Sequence, residues 1–307
     1  MNNPSSAGVP LRFWKLNGAG NTFVGLDNRR RDLPEGEPRA DLVRALCDGV
    51  RGLATDGVLL IEPPTAAGQA DVRMRYYNRD GSEGEMCGNG ARCLALFARF
   101  LGAAPERKIH IETQAGLQIA EVGDDNRVLL AMPDIPPPLP PVEIEAGSWR
   151  GALHRYRVGV PHAVTWVPRL EAFEALNVNT LGRALRYHDL FLPEGANVNF
   201  AFAVKRSGEA EKHLPDILIR TYERGVERET LACGTGSVAT AVCATRLGLT
   251  SPPVALQVKS GDLLRIHFHP TPEGGAEKVV LEGPAEIFFQ GKALWNPSNR
   301  TLTPPQG

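Results

Sequence analysis

The chain has 307 residues, enough for two domains of ordinary size or for one large one. Hydrophobic residues make up 42% and charged residues 22%, a globular balance with the material for a substantial core. A formal net charge of −1 offers no basic footprint for nucleic acid and no polybasic patch for an anionic membrane, and no stretch approaches the ~18 apolar residues of a bilayer span.

The first ten residues, MNNPSSAGVP, lack a charged n-region and an apolar h-region, so they read as a disordered tail and the chain as cytoplasmic. Short β-type runs then follow at 72–77, 109–113 and 128–132, with a helical stretch at 90–101 rich in Ala, Leu and Arg. A proline-rich run, PDIPPPLPP at 133–141, excludes helix and central strand and is the best linker candidate. Beyond it come β-type runs at 155–160, 217–222 and 263–268 and a second helical stretch at 236–247. One helix amid many strands, twice, predicts two α+β domains. His267 and His269 alternate on the last of these runs; with no carboxylate or cysteine partner evident, a solvated strand face is expected rather than a metal site.

The two halves resemble each other. CGNGARCLALFARFLG at 87–102 aligns without a gap to CGTGSVATAVCATRLG at 233–248. Arg75-Tyr76-Tyr77-Asn78 before the first helix mirrors Arg220-Thr221-Tyr222-Glu223 before the second, and a turn at Ala115-Gly116 mirrors one at Ser260-Gly261. Duplication explains this pattern. The five cysteines form an odd set without C-x-x-C spacing, which argues against a disulfide framework and a zinc ribbon. Cys47, Cys93 and Cys243 read as small buried hydrophobes. Cys87 and Cys233 open the repeated C-G-x-G motifs and stand apart.

Glycines at the second and fourth positions leave backbone N–H groups unobstructed where each helix begins, a ready cradle for a carboxylate. The same field lowers the pKa of a nearby thiol from about 8.5. Two such helices in facing pseudo-symmetric halves would aim two anion cradles and two sulfurs at one point. That arrangement suits inversion of an amino acid's α-carbon, in which a thiolate removes the proton and a thiol on the opposite face returns one. Donors around the substrate carboxylate would carry the developing charge. The structural alternative is a pair of capped helices with glycine turns and inert thiols.

NRDGSEGEMCGNGARC at 78–93 and YERGVERETLACGTGSVA at 222–239 resemble the two signature motifs of the diaminopimelate epimerase family. NGAGNTFV at 17–24 and PEGANVNF at 193–200 resemble two further motifs of that family, and the likeness runs from about Leu11 to Trp295. The resemblance implies an α+β fold of two pseudo-symmetric domains, each a mostly antiparallel sheet rolled around a central helix, with the active site in the cleft between them. The expected domains are 11–133 with 283–296, and 134–282, flanked by tails at 1–10 and 297–307.

The resemblance also implies the roles of residues. Cys87 and Cys233 are the acid–base pair, with His162 and Glu223 tuning the thiols. Asn21, Asn78 and Asn197 bind the substrate's amino and carboxyl groups. Arg224 takes the distal carboxylate, Glu223 an ammonium group, and Gly88-Asn89 and Gly234-Thr235 donate from the main chain to the reacting carboxylate. The implied reaction interconverts LL- and meso-diaminopimelate, feeding lysine and peptidoglycan synthesis, with no cofactor or metal, in a homodimer. One position departs from the pattern: Val160 stands where many family members carry an asparagine that helps hold the distal end of the substrate.

Taken without the family, Asn17 and Asn21 also read as turn residues, Glu223 and Arg224 as a surface ion pair, and His162, after a proline at an expected turn, as a structural imidazole. Proline- or histidine-type racemases use the same two-thiol logic but need not recognise a second centre; Arg224, Asn78 and Asn197 together favour a substrate with a polar far end. The phenazine-biosynthesis isomerase type shares the expected fold but lacks the cysteine pair. A catalytically silent amino-acid-binding protein would need no second sulfur. A pyridoxal phosphate racemase is disfavoured because no lysine stands in a Schiff-base context.

Overall fold

The computed structural model describes residues 8–66, 68–84, 86–147, 149–205 and 214–305. They divide between two units, Met1–Leu130 with Pro284–Gly307, and Ala131–Gly283. The chain leaves unit 1 and later returns to it.

Unit 1 opens with the antiparallel hairpin β1 (Val9–Gly18) and β2 (Asn21–Asp27), which turns through Ala19 and Gly20, both at positive φ. Then come α1 (Glu37–Cys47), β3 (Gly57–Glu62), β4 (Val72–Asn78), β5 (Glu83–Gly84), α2 (Gly88–Phe100), β6 (Lys108–Thr113), β7 (Gly116–Val122) and β8 (Arg127–Ala131). Unit 2 runs through β9 (Leu139–Ala146), β10 (Trp149–Val158), β11 (Val160–Trp166), α3 (Leu170–Glu174), α4 (Val178–Arg186), β12 (Asn197–Ala203), β13 (Ile217–Glu223) and β14 (Arg228–Thr230). It continues with α5 (Gly234–Arg246), β15 (Val254–Gln257), β16 (Leu263–Pro270) and β17 (Ala276–Pro284), after which β18 (Glu286–Asn296) and β19 (Thr301–Thr303) complete unit 1.

Strand by strand the two units repeat. Unit 1 orders β18-β1-β2-β3-β4-β6-β7-β8, antiparallel except for the parallel pairs β2–β3 and β4–β6. Unit 2 orders β9-β10-β11-β12-β13-β15-β16-β17, with parallel pairs at the matching places, β11–β12 and β13–β15. The duplication legible in two helices therefore extends to the whole sheet.

Each sheet curls about one helix. Strands from β18 round to β7 pack on α2, whose residues from Asn89 to Ala98 are all buried. A helix buried all round must be central, and its Gly, Ala and Cys residues let strands approach closely. α5 is its counterpart, packed on β10, β11, β12, β15 and β16. Both helices have 13 residues, begin after an extended cysteine and end in the same cap. Gly102 (φ 64°) donates to Arg99 O and Ala103 to Ala98 O; Gly248 (φ 71°) donates to Thr245 O and Leu249 to Ala244 O. These are paired Schellman stops, which glycine permits because it reaches the left-handed region without a Cβ clash.

A second core in each unit rests on a helix that was not expected. Leu42, Val43, Leu46 and Cys47 of α1 pack with Leu11, Val24, Val58 and Trp295. Val178, Leu181 and Leu185 of α4 pack with Leu153, Val198, Phe200 and Tyr222. Structure also extends past the expected tails. Val9 and Pro10 belong to β1, and β19 pairs with β18 because Leu302 can pack on the core that holds Trp295. The expected disorder of residues 1–7 lies outside the described residues. The proline run does not stay a linker throughout: Pro140 and Pro141 lie in β9, which pairs with β10.

Candidate active site

In unit 1 the residues at the head of α2 meet the β1–β2 hairpin. Cys87, half-buried, is the N-cap in extended conformation, and its Sγ accepts from Gly90 N at 3.4 Å. Gly88 and Asn89 follow as the first helical residues. Asn89 is buried, and its Nδ2 donates to Asn21 Oδ1 at 2.6 Å. β1 can press this close only because Gly18 has no side chain: a Cβ there would lie 2.8 Å from both Asn89 O and Cys93 Sγ. Asn21 in turn directs Nδ2 toward Asp56 Oδ2 at 3.5 Å, and the same carboxylate oxygen accepts from Thr22 N at 2.9 Å. The carbonyl of Asp56 accepts from Arg79 N at 3.1 Å, which ties the loop after Asn78 to the same place. Asn78 Oδ1 accepts from the Tyr76 hydroxyl at 2.8 Å, and its Nδ2 donates to Ser82 Oγ at 3.1 Å.

In unit 2 α5 meets β11 and β12, and Gly236 at its head lies against Asn199 of β12. Cys233 is the N-cap, 5% exposed, with its Sγ 3.6 Å from Thr235 Oγ1. Gly234 and Thr235 begin the helix, both half-buried. Gly236 separates Cys233 from Asn199: a Cβ there would fall 2.2 Å from Asn199 Oδ1 and 3.2 Å from Cys233 Sγ. His162 is not at a turn; the turn is at Gly159 (φ 70°), and His162 is the third residue of β11, beside Asn197 of β12. Its Nδ1 accepts from Asn199 Nδ2 at 3.3 Å, which sets the Nε2–H tautomer. Burial, with Arg224 nearby, lowers its pKa to about 3, so the ring is neutral. Asn197 Oδ1 accepts from Arg224 N at 2.7 Å. Glu223 is held above the usual carboxylate range by burial, with Thr230 opposing.

Arg224 reaches Glu194 rather than Glu223: its Nη1 donates to Glu194 O at 3.2 Å and stands 3.6 Å from the carboxylate, which also pairs with Arg157 at 2.6 Å. Val160 is the first residue of β11, as Asn21 is of β2, and the two occupy matching strand positions although the turn before Asn21 has two residues and the one before Val160 only Gly159. The structure thus groups Cys87, Gly88, Asn89 and Asn21, with Asn78 linked through Asp56, in unit 1. In unit 2 it links Cys233, Gly234 and Thr235 through Gly236 and Asn199 to His162, and places Asn197 at the start of β12 beside His162, with Glu223 and Arg224 at the end of β13.

Local sequence features single out none of Arg92, Asp56 and Asn199, and give Thr221 no role beyond its place in the repeat. Asn199 holds the His162 tautomer, and its Oδ1 accepts from Thr221 Oγ1 at 3.0 Å. It stands in the PEGANVNF motif two residues after Asn197, which was the available signal. The other three cysteines are buried, and burial pushes Cys93 and Cys243 up to about 12 and raises Cys47 as well. Such thiols are poor nucleophiles and poor bases at neutral pH. His267 is less solitary than expected, with Nε2 2.8 Å from Glu282 Oε2.

The model of the diaminopimelate epimerase family matches residues 13–134 and 156–287. The chain is 39% identical over 284 residues to the diaminopimelate epimerase of Chlorobaculum tepidum, covering 90% of this chain and 98% of that one. It is 38% identical over 292 residues to the diaminopimelate epimerase of Aquifex aeolicus, with 92% and 97% covered. Among solved structures, a phenazine-biosynthesis protein of Bacillus anthracis shares the fold with a TM-score of 0.67 at 13% identity, over 93% of this chain and 99% of that one. The duplicated fold and these relatives define an isomerase of the epimerase class. Within that class, the chain belongs to the diaminopimelate epimerase family.

Proposed function

We propose that this chain interconverts LL- and meso-diaminopimelate, with Cys87 and Cys233 as the acid and base. One sulfur, as thiolate, takes the α-proton; the other, as thiol, returns a proton to the opposite face, and the roles exchange in reverse. The main-chain N–H groups of Gly88-Asn89 and Gly234-Thr235, at helix N-termini, receive the charge that develops on the substrate carboxylate. Asn21, Asn78 and Asn197 bind the amino and carboxyl groups of the substrate. Arg224 binds the distal carboxylate by exchanging its contact with Glu194, and Glu223 takes an ammonium group. His162, neutral and fixed by Asn199, is a neighbour suited to tuning a thiol without adding charge.

The observation that carries the reading is the match of both cysteines, each the extended N-cap of a central helix, within a family match that spans most of both units. The chemistry needs no cofactor. A cytoplasmic homodimer is the accompanying expectation; Phe288 (55% exposed) and Phe289 (46%) on β18 offer apolar surface for a second copy.

The test is proton NMR of LL-diaminopimelate in D2O with reduced enzyme, joined to chiral separation of products. Loss of the α-proton signal with meso product, absent in Cys87→Ala and Cys233→Ala, supports both substrate and mechanism. Absence of exchange by folded, reduced protein rejects diaminopimelate and directs attention to Val160 and to single-centre amino acids such as proline and histidine.

A further inference from the structure

We infer that Arg92 is a positioning residue that sets which way the amides of Asn89 and Asn21 face, so that both offer N–H groups to a substrate carboxylate. The inference rests on the proposed function, in which Asn21 and the main chain of Asn89 contact the substrate, and adds the Asn89 side chain to those contacts. Arg92 is 0% exposed, and its Nη2 donates to Asn89 Oδ1 at 2.9 Å. A guanidinium can only donate, so Asn89 must turn its oxygen toward Arg92 and its Nδ2 away. That Nδ2 meets Asn21 at 2.6 Å, so Asn21 must present Oδ1 there and direct its own Nδ2 onward, toward Asp56. The relay runs one way, from a donor-only cation to a carboxylate. Each amide also has a second Nδ2 proton to give. Flipped amides would instead set oxygen lone pairs against an anionic substrate.

The duplicated helix of unit 2 does without this arginine. In the gapless alignment of α2 with α5, Arg92 matches Val238, also 0% exposed, and Asn89 matches Thr235. By strand position, Asn21 matches Val160. Arginine, asparagine and asparagine in unit 1 thus give way together to valine, threonine and valine in unit 2. A guanidinium near the positive end of a helix also opposes the helix dipole, and burying it adds desolvation cost; neither serves stability. Local rules broken in this way mark functional positions.

The experiment is a double-mutant cycle between Arg92 and Asn89. Arg92→Lys keeps charge and a donor but loses the planar fork, and guards against loss of folding in Arg92→Met. We expect kcat/KM for diaminopimelate to fall about 10-fold in Arg92→Lys and about 100-fold in Arg92→Met, through both KM and kcat. In an Asn89→Ala background Arg92→Lys should cost less than about 2-fold more. Equal fold-losses in both backgrounds would overturn the inference, as would wild-type kinetics in a folded Arg92→Met. A second readout needs no substrate: the Asn21 side-chain amide resonances should move in Arg92→Lys and stay put when Asn89 is already alanine. Movement in both backgrounds, or in neither, overturns it. If wild type fails on diaminopimelate while the resonances behave as stated, the substrate reading alone has failed.

Discussion

His162 is 1% exposed, third in β11, and locked by Asn199 into a neutral tautomer. Its pKa falls from 6.5 to about 3, chiefly because burial disfavours the imidazolium and secondarily because Arg224 is near. A base with a depressed folded pKa binds fewer protons folded than unfolded. Its contribution to stability is therefore intact above pH 6.5 and declines as pH drops from there toward 3, by up to about 1.4 kcal/mol per pH unit. Glu223, raised by burial, acts with the opposite sign in the carboxylate range, so the raw acid profile mixes the two. Urea midpoints of wild type and His162→Gln between about pH 4 and 8 separate them: the variant should show a slope shallower by about one proton below about pH 6. Identical slopes would show that His162 does not reach the folded state neutral. No local pattern announced this burial, because a proline directly before His162 reads as a turn, whereas Gly159 makes the turn and Pro161 sits within the strand. The cysteines were legible for the converse reason: their glycine flanks and helix starts are local features, repeated.

At the scale of elements, the two central helices were legible because small and apolar residues run around the whole circumference between a C-G-x-G start and an L-G stop. α1 and α4 were not. Their apolar residues occupy one face only, interrupted by Arg39, Asp41 and Arg44 in the first and Asn179, Arg183 and Arg186 in the second, and they lie among strong turn signals. Likewise, the meeting of Asn21 with Asn89 depends on where the β1–β2 hairpin lands on α2, which no local pattern encodes. The two ends of α5 can be probed separately. Gly248 is left-handed, with nothing within 4 Å of the place a Cβ would take, so Gly248→Ala should cost about 1 kcal/mol of stability and leave turnover unchanged. Gly236→Ala would push a methyl to 2.2 Å from Asn199 Oδ1, beside Cys233 Sγ, so it should cost about 1–3 kcal/mol and lower kcat at least about 10-fold. Thermal unfolding and steady-state rates on both variants check this; equal loss of activity in both would mean the helix, not the Asn199–Cys233 spacing, is what matters.

At the scale of the whole molecule, the two units are alike in strand order but not in how the chain supplies them. Unit 2 is continuous, Ala131–Gly283, whereas unit 1 needs its last strands returned from the far end of the chain. β18 pairs with β1 over Val9–Asn17, and Trp295, 4% exposed, packs in the core of Leu11, Phe13, Leu26 and Leu42. Ending the chain after Gly283 would remove those ladder bonds and uncover the core that Trp295, Ala293 and Leu302 help to close. Loss of a buried tryptophan alone costs about 3–5 kcal/mol, and typical domains hold only about 5–15. The truncated chain should therefore lose protection in unit 1 while Ala131–Gly283 keeps its own. Hydrogen exchange read by mass spectrometry distinguishes the outcomes. Fast exchange in α2 and β1–β4, with α5 and β10–β13 still protected, supports two separately stable halves. Loss of protection in both would mean that the duplicated units, each with a complete core, nonetheless fold only as one. Epimerisation should vanish in either case, because Cys87 and the amides that Arg92 orients belong to the unit that the returning strand completes.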